Sequence, residues 1–126
     1  MPVSFVRSEE WGSVVESSKE PVLIEFVSHT CTICDKMDPF VENVAAKYAG
    51  KVKVFKVNVM SEQPLALKFG VQGTPTFVMM CKGNLIASLV GEIHPSLLEW
   101  MASDTLLHNE GCVAKQTKVI YTITGY

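Results

Sequence analysis

The chain has 126 residues, 48% hydrophobic and 19% charged, with a formal net charge of -2. That size and balance suit one globular domain with one core and exclude a disordered segment. Charges of both signs are interspersed, so neither nucleic acid nor a membrane is expected as a partner, and no apolar run approaches the ~18 residues of a membrane span. The start, MPVSFVRSEEWGS, shows no basic region followed by an apolar stretch, so no signal peptide is expected. Four cysteines, two of them isolated, do not form a secreted disulfide framework, and a reducing cytoplasm is the expected setting.

In chain order, residues 3–6 form a short apolar segment that predicts a first strand. Ser8 caps a helix whose first turn holds Glu9 and Glu10 and whose Trp11, Val14 and Val15 reach the core. Pro21 then opens PVLIEFV, a branched apolar run that reads as a strand buried on both faces. Glu25 is the anomaly in it. A carboxyl buried there has a raised pKa unless paired, and such a group suits a general base near neutrality.

Directly after this strand come Cys31 and Cys34, followed by an amphipathic pattern of Met37, Phe40, Val41, Val44, Ala45 and Tyr48. Gly50 closes that helix, and Pro39 lies inside it. A thiol at a helix N-terminus faces unpaired N–H groups and the positive end of the dipole, which favour the nucleophilic thiolate. A C-x-x-C pair fits a redox couple, half a zinc site or part of an iron–sulfur site. The strand–CxxC–helix setting favours the redox couple. A zinc site needs a second ligand pair, whereas Cys81 and Cys112 are single and His29, His94 and His108 are scattered, so no metal is expected. His29, two residues upstream of Cys31, favours the thiolate if protonated or else merely lines the surface.

Residues 52–59 alternate as a strand, Ser61 caps a short helix ending at Gly70, and two apolar runs flank Lys82-Gly83-Asn84 as a hairpin. Cys81 reads as a small core residue. Pro95 and Ser96 open a last helix carrying Leu97, Leu98, Met101 and Thr105. The order β-α-β-α-β-α-β-β-α predicts an α/β fold with a mixed sheet and helices on both faces.

These elements and motifs resemble the thioredoxin family over roughly residues 3 to 104. The matching residues are Phe26, the Cys31-Thr-Ile-Cys34 site, Pro39, Lys56, Asn58, Gly73-Thr74-Pro75-Thr76, Lys82-Gly83-Asn84 and Gly91. The resemblance implies a thioredoxin fold, with a domain at 1–104 and an extension at 105–126. It implies a cis Pro75 facing the thiols, with Thr74, Pro75 and Gly91 meeting the substrate chain as an added strand. It also implies that the family's buried carboxylate falls on Glu25, with Lys56 as its partner; the competing reading is a structural Glu25–Lys56 ion pair. The sequence departs from the family at Thr30, where Trp is usual, at Thr32-Ile33, where Gly-Pro is usual, and at Asp35, where Lys is common.

The implied activity is thiol–disulfide oxidoreduction. Cys31 attacks a protein disulfide, Cys34 resolves the mixed disulfide with help from Glu25, and a dithiol or reductase donor resets the pair. Lys56 and His29 tune the thiol and carboxyl pKa values, and no cofactor is expected, since both electrons reside on sulfur. Competing readings are an oxidase or isomerase of the same fold, a non-catalytic protein-binding module, and a metal site shared across a dimer. In the extension, residues 117–124 alternate as a strand that would join a sheet edge, within the chain or by exchange in a homodimer. Cys112 stands before it as a free thiol or a partner for another cysteine.

Overall fold

The computed structural model describes residues 3–107 and the backbone of residues 121–124. In chain order these form β1 (Ser4–Phe5), β2 (Val22–Val27), α1 (Thr32–Lys47), β3 (Lys53–Asn58), α2 (Gln63–Lys68), β4 (Thr76–Cys81), β5 (Asn84–Val90), α3 (Pro95–Leu107) and β6 (Tyr121–Thr124). The strands make one mixed sheet in the order β1-β3-β2-β4-β5-β6. β1 and β2 run parallel to β3, β4 runs antiparallel to β2 and β5, and β6 runs parallel to β5.

All six residues of β2 are buried because both sheet faces are covered. Side chains alternate across the sheet. Leu23 packs with Met37 and Val41 of α1, Phe77 and Met79 of β4, and Leu98 and Met101 of α3. Val22, Ile24 and Phe26 face the other way, toward Trp11, Val15 and Leu65. By the same alternation Glu25 shares the α1 face with Leu23. Its register partner on β3 is Lys56. Val54, two residues before Lys56, packs on that same face.

The thiol helix runs as its pattern predicts, with Pro39 inside it and Met37, Val41 and Val44 buried, but Phe40 stays exposed. The first helix differs. Ser8–Glu10 is a single 3-10 turn, followed by a π-turn at Gly12–Glu16. Ser8 does not cap it; its N–H and hydroxyl both donate to the Glu62 carboxylate. The Ser13 and Ser17 hydroxyls bond back to the carbonyls of Glu10 and Ser13, a competition that distorts helical turns. Trp11 and Val15 are nonetheless buried. Glu62, rather than Ser61, precedes α2, and the Ser61 hydroxyl donates to the Asn58 carbonyl.

The β4–β5 hairpin pairs Cys81 with Asn84 across Lys82 and Gly83, whose φ of 49° and 83° give the left-handed pair that a two-residue hairpin needs. Cys81 is fully buried and disulfide-bonded. α3 continues to Leu107, past residue 104. β6 pairs with β5 from Ala87–Tyr121 to Val90–Thr124. Cys112, His108 and the expected strand positions 117–120 lie outside the described residues. Among the described residues no helix is long and apolar enough to cross a membrane.

Candidate active site

β2 ends at Val27, and a turn closed by the Cys31 N–H on the Ser28 carbonyl (3.2 Å) brings the chain into α1. Cys31 is the N-cap of that helix, in extended conformation. Its sulfur accepts the backbone N–H of Cys34 at 3.0 Å. A helix start leaves such N–H groups without carbonyl partners, and here one of them is aimed at sulfur. Cys31 and Cys34 are joined as a disulfide with a Cα–Cα distance of 5.2 Å. Their access differs: Cys31 is half-buried, whereas Cys34 is 4% exposed.

Glu25 is fully buried, and neither of its carboxyl oxygens has a hydrogen-bond partner among the described residues. Burial pushes its pKa up to about 8, against the opposing pull of the Lys56 charge and with a further push from Asp38. A Glu25–Lys56 hydrogen-bonded pair is not formed. The Lys56 ammonium instead donates to Asp38 Oδ1 at 2.8 Å, and acts on Glu25 through space. Asp38 escaped the sequence reading, although its position one helical turn beyond Cys34 puts both on one face of α1. The lining of a pocket beside Cys34 includes His29, Asp35, Asp38, Lys56 and Asn58. His29 is exposed at its rim.

The other expected site residues form a second group. Thr74–Pro75 is cis, Pro75 is buried, and its carbonyl accepts the Gly91 N–H at 2.9 Å. The Thr76 hydroxyl donates to the Gly73 carbonyl at 2.7 Å, fixing the turn. Because β4 is antiparallel to β2, with Thr76 opposite Phe26, residues 73–75 lie at the end of the sheet where β2 leads to Cys31.

The thioredoxin family profile matches residues 2–103. The chain is 31% identical over 96 residues to the chloroplastic M-type thioredoxin of Brassica napus, covering 76% of this chain and 54% of that protein. It is 33% identical over 91 residues to a thioredoxin of Haemophilus influenzae, covering 72% and 85%. With a thioredoxin of Pseudomonas aeruginosa the identity is 37% over 78 residues, covering 62% and 72%. The chain thus spans about half the length of the chloroplastic relative and most of the two bacterial ones. A helix-capping C-x-x-C pair after a buried strand, on a mixed sheet whose strands β1 to β5 fall within the profile match, makes this chain a member of the thioredoxin family, whose members are disulfide oxidoreductases.

Proposed function

We propose that this protein is a thiol–disulfide oxidoreductase that reduces disulfides of protein clients. The observation that carries the reading is the Cys34 N–H held on the sulfur of a half-buried helix-capping Cys31, with Cys34 itself buried. That donor stabilises negative charge on Cys31, and exposure lets a client reach it.

In the cycle, the Cys31 thiolate attacks one client sulfur, forming a mixed disulfide and expelling the other client sulfur as thiolate. Cys34, once deprotonated, attacks Cys31 sulfur; the second client thiolate leaves and the Cys31–Cys34 disulfide remains. Two electrons have moved to the client. A dithiol or a reductase then returns them. Glu25 is the base for Cys34 in this reading, a role favoured by a carboxyl that titrates near neutrality in a dry setting. Lys56 and His29 tune the site, and Thr74, Pro75 and Gly91 receive the client backbone as an added strand.

A cytoplasmic setting, where a dithiol donor is at hand, fits this cycle. A homodimer formed by exchanging β6 would reuse the pairing of Ala87–Tyr121 through Val90–Thr124, and elution volume against concentration tests it. The activity is tested by insulin reduction with a small dithiol as donor. Turnover is expected with wild type and none with Cys31→Ser. Equal rates for the two proteins would overturn the proposal.

A further inference from the structure

We propose that Asp38 controls the ionisation of Glu25 by positioning Lys56: it takes the lysine ammonium for itself and so withholds from the buried carboxyl the cation that would neutralise it. The inference rests on the reading of Glu25 as the base for Cys34, and deepens it.

The geometry offers Lys56 two carboxyls. Glu25 is its register partner on the adjacent strand, on the same sheet face, and neighbouring strands lie only about 4.8 Å apart. Asp38 approaches the same ammonium from α1 and holds it at 2.8 Å. The Lys56 side chain is 12% exposed and that of Asp38 40%, so the pair is nearer to solvent than the fully buried Glu25. Pairing with the wetter carboxylate demands less desolvation of charge. Among the described residues, Glu25 is left with neither oxygen hydrogen-bonded.

The charged and titratable groups around this point can be named element by element. β2 supplies Glu25, β3 supplies Lys56, α1 supplies Cys34, Asp35 and Asp38, and the β2–α1 turn supplies His29. β4 and α3 bring Phe77, Leu98 and Met101 to this face, none of them titratable. Asp38 acts on Glu25 in two ways of one sign. Its own charge opposes ionisation of Glu25, and its hold on Lys56 weakens the attraction that favours it. Removing an acid from this site therefore makes the remaining acid stronger.

Asp38→Asn and Asp38→Glu, made in the full chain, test this. The Glu25 carboxyl is followed from pH 5 to 10 by carbon NMR, assigned with Glu25→Gln. Resolution of a Cys31 mixed disulfide with an aromatic thiol is timed over the same range. In Asp38→Asn the carboxyl midpoint is expected to fall by about one pH unit. Resolution at pH 7 should then quicken about fivefold, because the base form is more populated. Asp38→Glu, which can still hold Lys56, should keep the wild-type midpoint. An unmoved midpoint in Asp38→Asn overturns the proposal. If that variant does not fold, Asp38→Ser serves with the same reading: the midpoint should fall, and an unmoved midpoint overturns the proposal equally. A midpoint that falls while resolution stays constant upholds the control by Asp38 and removes Glu25 from the chemistry.

Discussion

At one end of the sheet, beyond Val27 of β2, Cys31 caps a helix, half-buried, with a backbone N–H on its sulfur. At the other end Cys81 closes β4, which pairs beside Val22 at the start of β2, and is fully buried and disulfide-bonded. A helix start has spare donors to give to sulfur, whereas a strand spends its N–H groups on the ladder. Exposure differs in the same direction, since a client can approach the first sulfur and not the second. Reactivity here is a property of the position and not of the residue type. The buried acid of β2 repeats the lesson, for Glu25 sits where an apolar side chain would pack without cost.

The comparison breaks most directly by removing the reactive end. Cys31→Ser should lower disulfide reduction by ~10³-fold or more, the scale expected when a nucleophile is lost. Cys34→Ser should retain the first attack and accumulate mixed disulfides, visible on non-reducing gels. Alkylation of the reduced protein near neutral pH should label Cys31 first; preferential labelling of Cys34 would reverse the roles.

Glu25 sharpens the contrast through stability. The folded protein keeps this proton up to about pH 8, whereas a carboxyl with its ordinary value of 4.5 releases it far earlier. Between those values the folded state binds more protons than the unfolded one, so Glu25 lowers stability progressively as pH rises through the window. The full effect is on the order of 5 kcal/mol above pH 8, and it vanishes below about 4.5. Glu25→Gln stays neutral throughout. Its advantage over wild type in urea unfolding should therefore grow from pH 5 to pH 9, while resolution of the mixed disulfide slows. A pH-independent difference would show that Glu25 titrates normally in the folded protein.

Much of this was readable from residue order. The PVLIEFV run, the helical spacing from Met37 to Tyr48 and the Lys82-Gly83 turn each obey a local rule, so the sheet and the thiol helix follow from sequence. The thiols were legible for the same reason, because a C-x-x-C after a buried strand fixes its own surroundings. The segment after Ser8 was not, because three serine hydroxyls find partners that compete with a regular helix. Nor was the Lys56 partner. Glu25 and Asp38 both suit it chemically, and the choice depends on how deep each lies once α1 has packed on the sheet, which is a tertiary quantity.

At the unreactive end, Cys81→Ala should lower stability by about 2–4 kcal/mol, through loss of a disulfide and of buried volume. Insulin reduction should stay within about twofold of wild type, since the change lies at the pole opposite the thiols. Melting temperature and turnover measured on the same preparation check it. A large loss of turnover with unchanged melting would place Cys81 in the redox pathway and dissolve the contrast between the two ends.

The smallest effect concerns β6, which borders β5 between the two ends. Successive residues of an edge strand direct their N–H groups to opposite sides, so of Thr122 and Ile123 only one donates to β5. Proline removes that donor and is tolerated on an edge strand only where the N–H faces solvent. One of Thr122→Pro and Ile123→Pro should therefore cost about 1–2 kcal/mol and speed amide exchange in residues 87–90, while the other stays near wild type. Client KM should change little in either, because among the described residues the β5–β6 pairing ends at Val90–Thr124, one residue short of the Gly91 N–H that bonds Pro75. Identical exchange in both variants and wild type would mean that Tyr121–Thr124 does not hold the β5 edge in solution.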